Sequence, residues 1–182
     1  MEQYYDIEVA GVKRRLPVVP ISPELSIAAF VIFGDTDIVE PCATALAQKL
    51  PENVDYLITA EAKSIPLIYE MAKVMNMPRY LIARKSVKGY MQKPIITKVN
   101  SITTNKEQIL CLDEEDIKLI KGANIAIIDD VISTGGSLAA IEHLVKEAGG
   151  NVVARAAILA EGDAADRDDI IYLGTIPLFF TK

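Results

Sequence analysis

Apolar residues follow two alternating patterns along the chain. Short continuous apolar runs are typical of strands that are buried on both faces of a sheet. They predict strands over Val54–Thr59, Tyr80–Ala83, Ile125–Ile128 and Val152–Ala160. Between these runs, apolar residues recur with helical spacing, which predicts helices over Asp37–Leu50, Ile65–Met77 and Leu138–Ala148.

This alternation predicts an α/β fold, namely a doubly wound, mainly parallel sheet flanked by helices. Two further strands, Ile95–Thr103 and Gln108–Leu112, are predicted to form a projecting hairpin. Residues 1 to about 34 do not follow the same rhythm and contain Pro17, Pro20 and Pro23. They are predicted to form a small cap, or hood, over the carboxyl edge of the sheet. No linker rich in Pro, Gly or Ser divides the chain, which favours a single domain over residues 1–182.

Composition indicates a soluble globular protein. Of the 182 residues, 51% are hydrophobic, but no uninterrupted apolar stretch is long enough to cross a bilayer. The first residues are acidic and polar, unlike a signal peptide, so a cytoplasmic location is expected. The net charge of −6 disfavours broad binding to nucleic acid or to an anionic membrane.

The charge is unevenly distributed, because a basic segment lies within this acidic chain. Between Arg79 and Lys106 there are seven Lys or Arg residues and no Asp or Glu. An isolated positive region of this kind indicates a small polyanion as the ligand. RNA binding has less support, because the segment offers little aromatic surface on which bases could stack.

The cysteines and the single histidine lack the spacing of a reactive site. Cys42 and Cys111 each lie alone in an apolar context, which favours buried free thiols over a disulfide or a metal pair. His143 lies inside a predicted helix and is expected to be structural or exposed. A Ser-His-Asp mechanism is therefore not expected.

Ile125–Ser137 is the segment with the clearest chemistry. Asp129 and Asp130 follow the predicted strand, at the edge where open α/β sheets place their ligands. The next helix is preceded by two glycines flanked by hydroxyl residues, Ser133, Thr134, Gly135, Gly136 and Ser137. Backbone N–H groups at a helix N-terminus bind anions, and ionised carboxylates accept both hydroxyls of a vicinal diol. The segment suits a sugar phosphate; the alternative is a surface turn whose Asp pair caps a helix.

Two more loops follow strands of the predicted sheet. One is Ala60-Glu61-Ala62-Lys63-Ser64, after Val54–Thr59, and the other is Arg84-Lys85-Ser86-Val87-Lys88, after Tyr80–Ala83. Because both leave the carboxyl ends of parallel strands, they are expected to face the same crevice as Asp129. Lysine and arginine there can pair with pyrophosphate oxygens through charge-assisted hydrogen bonds.

The segment Ile125–Ser137 resembles the phosphoribosyl pyrophosphate motif of the type I phosphoribosyltransferases. The resemblance implies that Asp129 and Asp130 hold the ribose hydroxyls and that Ser133 to Ser137 hold the 5′-phosphate. It implies transfer of the phosphoribosyl group to a base, with pyrophosphate leaving. Mg²⁺ is the implied cofactor, bound mainly to substrate oxygens and only through water to the two aspartates. A homodimer is also implied.

Residues 54–161 are most similar to the purine branch of that family, particularly adenine and xanthine phosphoribosyltransferases. Adenine members carry an acidic residue, a small residue and Arg where this chain has Glu61, Ala62 and Lys63. A non-proline cis peptide is common in that loop and is expected near Glu61-Ala62.

The second basic loop matches the Arg-Lys-x-x-Lys run of the family. The resemblance assigns pyrophosphate binding to both loops, through Glu61, Ala62, Lys63, Arg84, Lys85 and Lys88. It assigns the catalytic role to Asp129, Asp130 and Lys85. The segment from about Ser86 to Thr104 is expected to order over pyrophosphate, since it contains no acidic residue that could neutralise its own positive charge.

The chain departs from the adenine members on the hairpin. Those members carry Glu-Tyr-Gly, whose Glu is assigned to proton transfer, whereas this chain has Thr103-Thr104-Asn105. Hydroxyl and amide groups cannot replace a carboxylate in that role, so a 6-oxopurine is a better expected acceptor than adenine. Glu107 and Glu161 are the other acids that could assist the base. The favoured function is a purine-type phosphoribosyltransferase of nucleotide salvage, and the alternative is a non-catalytic sensor of phosphoribosyl pyrophosphate or a nucleotide.

Overall fold

A five-stranded parallel sheet forms the centre of the protein. The computed structural model describes residues 3–99 and 108–180. The strands of the sheet are β4 (Tyr56–Ala60), β5 (Leu81–Ala83), β8 (Asn124–Ile132), β9 (Asn151–Glu161) and β10 (Ile171–Ile176). Their spatial order is β10-β9-β8-β4-β5, and all neighbouring pairs are parallel. The predicted doubly wound parallel sheet is therefore confirmed.

Helices cover both faces of this sheet, because its central strands are apolar on both sides. The helices are α1 (Thr36–Ala47), α2 (Ile65–Val74), α3 (Glu114–Ile120) and α4 (Gly136–Glu147). Ala126 and Ile128 of β8 pack in one core with α1 and α2. Ile125 and Ile127 pack in a second core with α4. The alternation along one strand thus explains why helices are needed on both faces.

The predicted elements are present, but several boundaries differ from those predicted. Strand β8 runs to Ile132 rather than ending at Ile128. Asp129 and Asp130 therefore lie inside the strand, in the part that pairs with β9. Helix α2 ends at Val74 rather than Met77. Asn76 adopts a left-handed conformation with φ 54°, and the Met77 N–H closes the helix onto the Ala72 carbonyl at 2.8 Å.

The predicted cap is a four-stranded antiparallel sheet. It contains β1 (Tyr4–Val9), β2 (Val12–Pro20), β3 (Leu25–Ala28) and β11 (Leu178–Phe180), in the order β1-β2-β3-β11. Because β11 follows β10 directly, the cap begins at the carboxyl edge of the central sheet. Arg14 joins the cap to the residue before α1 through two hydrogen bonds of 2.7 Å to Asp35. Cap residues such as Leu16 and Phe30 share the core of α1.

The predicted hairpin is formed by β6 (Ile95–Val99) and β7 (Gln108–Leu112), paired in antiparallel register from Ile95↔Leu112 to Val99↔Gln108. Thr103, Thr104 and Asn105 lie outside the described residues. Cys42 and Cys111 are buried free thiols, as predicted. His143 is exposed on α4, with Nε2 3.6 Å from Glu147. No helix in the described parts of the chain is long and apolar enough to cross a membrane.

Candidate active site

A cleft of about 170 Å³ opens where β4 and β8 reach the carboxyl edge of the central sheet. Both predicted aspartates line it, together with the loop after β4 and one lysine after β5. Three hairpin residues that the sequence did not indicate close one side. The lining residues are Ala60, Glu61, Ala62, Lys63, Ser64, Lys85, Val99, Gln108, Leu110, Asp129, Asp130, Val131 and Ser137.

Asp129 and Asp130 are connected to the loop after β4 by short hydrogen bonds. Lys63 Nζ lies 2.8 Å from Asp130 Oδ2. Ser64 Oγ lies 2.8 Å from Asp129 Oδ1 and 3.2 Å from Asp130 Oδ1, and it accepts the Asp130 N–H at 2.8 Å. The Asp130 side chain is 2% exposed and that of Lys63 is 54% exposed. The lysine can therefore leave the ion pair by rotating into solvent, whereas the aspartate is fixed.

Burial, reinforced by the negative charge of neighbouring Asp130, raises the pKa of Asp129 to about 7. Its ordinary value is 3.8. The Ser64 hydroxyl and the Asp130 N–H oppose this rise by hydrogen bonding to the Asp129 carboxylate. Two adjacent carboxylates in a confined cleft are hard to ionise together, and a cation or a diol between them would relieve the repulsion.

The raised pKa of Asp129 predicts a pH-dependent stability. The folded protein holds this proton more tightly than the unfolded chain, so protonation stabilises the fold at about pH 4 and below. That contribution is lost as the pH rises towards about 7, by at most about 1.4 kcal/mol per pH unit. We expect Asp129→Asn to flatten this part of the profile, because an amide does not titrate. Urea unfolding of both proteins in EDTA, at about pH 5 and 7.5, measures the difference; an identical fall in both would contradict it.

The loop after β4 holds the loop after β5 in place. The Glu61–Ala62 peptide bond is cis, as expected. Glu61 accepts the Lys85 N–H at 3.0 Å and lies 3.3 Å from Arg84 Nε. The Lys85 N–H, with the Arg84 guanidinium, holds the pKa of Glu61 below its usual range. In this structure Glu61 therefore connects the two loops, and its carboxylate helps to position Lys85 in the cleft.

The structure does not bring every predicted pyrophosphate ligand into the cleft. Arg84 turns to the other side of the loop, where Nη1 donates to the Tyr90 hydroxyl at 2.8 Å. Lys88 Nζ donates to the Ser86 hydroxyl. Lys63 and Lys85 line the cleft, whereas Arg84 and Lys88 do not. The assignment of these two residues to pyrophosphate stays a prediction.

The predicted phosphate loop surrounds a second cavity of about 120 Å³, lined by Ser133, Thr134, Gly135, Gly136 and Ser137. It adjoins the first cavity, with which it shares Asp129, Val131 and Ser137. Gly135 is the N-cap of α4 and has φ 80°, a conformation that glycine adopts without strain. Helix α4 therefore begins at this cavity with its first N–H groups. Anion sites at helix N-termini have this arrangement.

Two residues near these cavities were not assigned a role from the sequence. In the sequence Ser64 was only part of a predicted loop, whereas in the structure its hydroxyl bridges the two aspartates. Arg167 lies beside the phosphate loop, with Nη1 3.0 Å from the position that a side-chain Cβ would take at Gly135. Its other nitrogens donate to Asp169 at 2.7 and 2.8 Å. No local sequence signal indicates Arg167, because the contact depends on how the chain returns after β9.

The aspartate pair presents carboxylate oxygens to the cleft that could contribute to a metal site. The described residues contain no group of three or more His, Cys, Asp or Glu side chains that could hold a metal ion. Glu161, one of the two other acids that were expected to be able to assist the base, is buried at the end of β9 and lines neither cavity.

Comparison with known proteins identifies the family. The family model described as Phosphoribosyl transferase domain matches residues 36–177. The hypoxanthine/guanine phosphoribosyltransferase of Methanococcus voltae is 27% identical over 132 residues, which are 72% of this chain and 66% of that protein. The corresponding protein of Methanotorris igneus is 34% identical over 112 residues, 62% of this chain and 57% of that protein. The chain thus matches about two thirds or less of the length of these relatives.

Solved structures show the same fold. The adenine phosphoribosyltransferase from Rhodothermus marinus has a TM-score of 0.68 and 20% identity, covering 88% of this chain and 93% of that one. The adenine phosphoribosyltransferase from Thermoanaerobacter pseudethanolicus has a TM-score of 0.64 and 19% identity, covering 94% and 95%. At this identity the likeness concerns the fold alone. The family model spans the central sheet, the aspartate pair and the phosphate loop, and the chain therefore belongs to the phosphoribosyl transferase domain family, as its resemblance to the type I phosphoribosyltransferases predicted.

Proposed function

We propose that this protein transfers the phosphoribosyl group of phosphoribosyl pyrophosphate to a purine-type base and releases pyrophosphate. The observation that carries the proposal is the adjacency of the two cavities. One contains Asp129, Asp130, Lys63 and Lys85, and the other is formed by the phosphate loop. A ribose with a 5′-phosphate on one side and a 1-pyrophosphate on the other needs groups of these types in this order.

Each group has a defined task in that reaction. Asp129 and Asp130 accept hydrogen bonds from the two ribose hydroxyls, and the N-terminus of α4 binds the 5′-phosphate. Lys63 and Lys85 stabilise the negative charge that develops on the leaving pyrophosphate. Because Lys63 is paired with Asp130 in this structure, it has to exchange the carboxylate for pyrophosphate when the substrate enters. Arg84 and Lys88 join the same site if their loop rearranges.

Mg²⁺ is part of the proposal. It typically keeps several waters and binds through one or two carboxylates and substrate phosphates, and the aspartate pair fits that donor set. Asp129 and Asp130 would hold the ion through water. When bound, it supplies charge neutralisation on pyrophosphate. The protein groups then fix the position of the ribose.

The proposed acceptor is a 6-oxopurine rather than adenine. Thr103 and Thr104 replace the carboxylate of adenine members, and the relatives named above are hypoxanthine/guanine enzymes. A general base contributes about 10²–10⁴-fold where it is needed, so we expect kcat/KM for adenine to be lower than for hypoxanthine, guanine or xanthine by about this factor. Pyrophosphate release with each base measures the ratio. Adenine turnover at about 10⁵ M⁻¹s⁻¹ or above would contradict the acceptor assignment.

A sensor of phosphoribosyl pyrophosphate is the second candidate, because the same Thr103-Thr104 pair also fits a protein that binds without catalysis. One experiment distinguishes the two functions. The enzyme releases pyrophosphate with at least one of the bases adenine, hypoxanthine, guanine, xanthine, uracil and orotate. The sensor binds phosphoribosyl pyrophosphate tightly and releases none.

Four further expectations belong to this proposal and rest on resemblance or sequence. The protein is a homodimer, so light scattering at micromolar concentration should give twice the mass of one chain, and a single-chain mass would contradict this. The segment from about Ser86 to Thr104, part of which lies outside the described residues, orders when pyrophosphate binds. The location is cytoplasmic, and the ligands are small molecules rather than nucleic acid or membrane.

A further inference from the structure

Ser64 occupies the N-cap position of α2 but does not act as a cap. A serine there normally accepts a hydrogen bond from an N–H of the first helical turn. The Ser64 side chain makes no such bond. The residue is 1% exposed, so its hydroxyl is also withdrawn from solvent. A buried hydroxyl needs a partner within the protein, and this one finds it on the neighbouring strand.

The partners of Ser64 are the two aspartates of β8. Its oxygen accepts the Asp130 N–H at 2.8 Å, so its single proton is available to a carboxylate. The Ser64 oxygen lies 2.8 Å from Asp129 Oδ1 and 3.2 Å from Asp130 Oδ1, so both carboxylates are within reach of that proton. The Ser64 hydroxyl therefore lies between both carboxylates, and the shorter distance favours donation of its single proton to Asp129 Oδ1, which also accepts the Asp130 N–H at 2.9 Å.

The remaining carboxylate oxygens are left for the cleft. Asp130 Oδ2 is held by half-exposed Lys63, which can move away. Asp129 lines the same cleft. With one oxygen of each carboxylate next to the Ser64 hydroxyl, the second oxygen of each is available as an acceptor in the cleft that both aspartates line. Two neighbouring hydroxyls of a sugar match this pair.

We propose that Ser64 is a positioning residue, which orients Asp129 and Asp130 so that together they bind a vicinal diol. The inference rests on the proposed function, because it names how the aspartate pair of that same site selects its sugar. Ser64 itself does not touch the reacting atoms. Removal of the Ser64 hydroxyl keeps both aspartates in the chain, but it takes away the group between their carboxylates, which can then rotate apart.

The test compares ribose 5-phosphate with 2-deoxyribose 5-phosphate, which lacks one hydroxyl of the diol. Calorimetry gives the dissociation constants and hence the ratio by which the protein prefers the ribose. In Ser64→Ala we expect this ratio to fall about tenfold, since a hydrogen bond to a charged group is worth about that factor. Ser64→Thr keeps the hydroxyl and should restore the preference. Ser64→Cys, of similar shape but with a weak donor, should behave like Ser64→Ala and serves if the alanine variant does not fold.

Thr59→Val is the matched control. Thr59 lies on β4 and is fully buried, and its hydroxyl has no partner among the described residues. Removing it should leave the preference for ribose unchanged.

The possible results separate the two levels of inference. A preference that stays the same in Ser64→Ala, or equal losses for both sugars, would overturn the positioning role while the proposed function stands. Wild-type protein that binds neither ribose 5-phosphate nor phosphoribosyl pyrophosphate would overturn both.

Discussion

Asp130→Asn is expected to weaken the binding of phosphoribosyl pyrophosphate by about ten- to a hundredfold, the range for a lost hydrogen bond to a charged group. The amide presents N–H donors where the ribose hydroxyl needs an acceptor, and it removes one of the two negative charges near Mg²⁺. Turnover should fall at least as far, because the same contact is proposed to hold the ribose during displacement at C1.

Calorimetry in the presence of Mg²⁺ measures this effect. Asp55→Asn is a suitable control, because the Asp55 carboxylate accepts the Asn124 N–H at the opposite, amino end of β8. It should bind phosphoribosyl pyrophosphate as the wild type does. Equal affinities of Asp130→Asn and wild type would remove the ribose role assigned to this aspartate.

Gly135→Ala is expected to lower the affinity for ribose 5-phosphate by about tenfold or more, equivalent to about 1.4 kcal/mol. At φ 80° an alanine is strained by about 1–2 kcal/mol. Its Cβ would also lie 3.0 Å from Arg167 Nη1, so the guanidinium would have to move. Both effects displace the backbone N–H groups that begin α4 and that are proposed to bind the phosphate.

Gly122→Ala separates strain from binding. Gly122 has φ 77°, nearly the same conformation, but nothing lies within 4 Å of a Cβ built there, and it precedes β8 rather than the phosphate loop. Urea unfolding should show a similar loss of stability in the two variants, and calorimetry should show a loss of phosphate affinity only in Gly135→Ala. Wild-type affinity in Gly135→Ala would show that this loop does not bind the 5′-phosphate.

The sequence was sufficient for the central part of the site. Ile125–Ile128 form an unbroken apolar run, and the Gly135-Gly136 pair follows at a short distance, so a strand, a loop and a helix were evident from local signals. The end of β8 was not. Its last residues include two aspartates, and they belong to the strand only because β9 pairs with them as far as Ile132↔Ala160. Backbone pairing of this kind does not require apolar side chains.

The directions of the basic side chains depend on tertiary contacts. The sequence placed Arg84 and Lys85 in the same loop, but it could not show that Glu61 and Tyr90 hold the arginine outside the cleft. The role of Ser64 was hidden for a similar reason. A serine before a helix indicates a cap, and only the position of β8 beside the loop gives it another partner.

The cap could be predicted as a separate region but not in its construction. Strands β1 to β3 are completed by β11, which pairs with β3 through Leu178↔Ile27 and comes from the opposite end of the chain. Such a long-range pairing has no local signature. Helix α3 was not predicted, because its seven residues, Glu114–Ile120, include only three apolar ones, too few to show a helical period.

The most direct measurement of the central claim is a stoichiometric one. Wild-type protein is incubated with Mg²⁺, phosphoribosyl pyrophosphate and either hypoxanthine, guanine or xanthine, and both products are quantified. The account predicts that pyrophosphate and the nucleoside monophosphate appear in equal amounts with at least one of these bases, and that Asp130→Asn greatly slows both. Failure of the wild-type protein to bind phosphoribosyl pyrophosphate, with no product from any base, would contradict it.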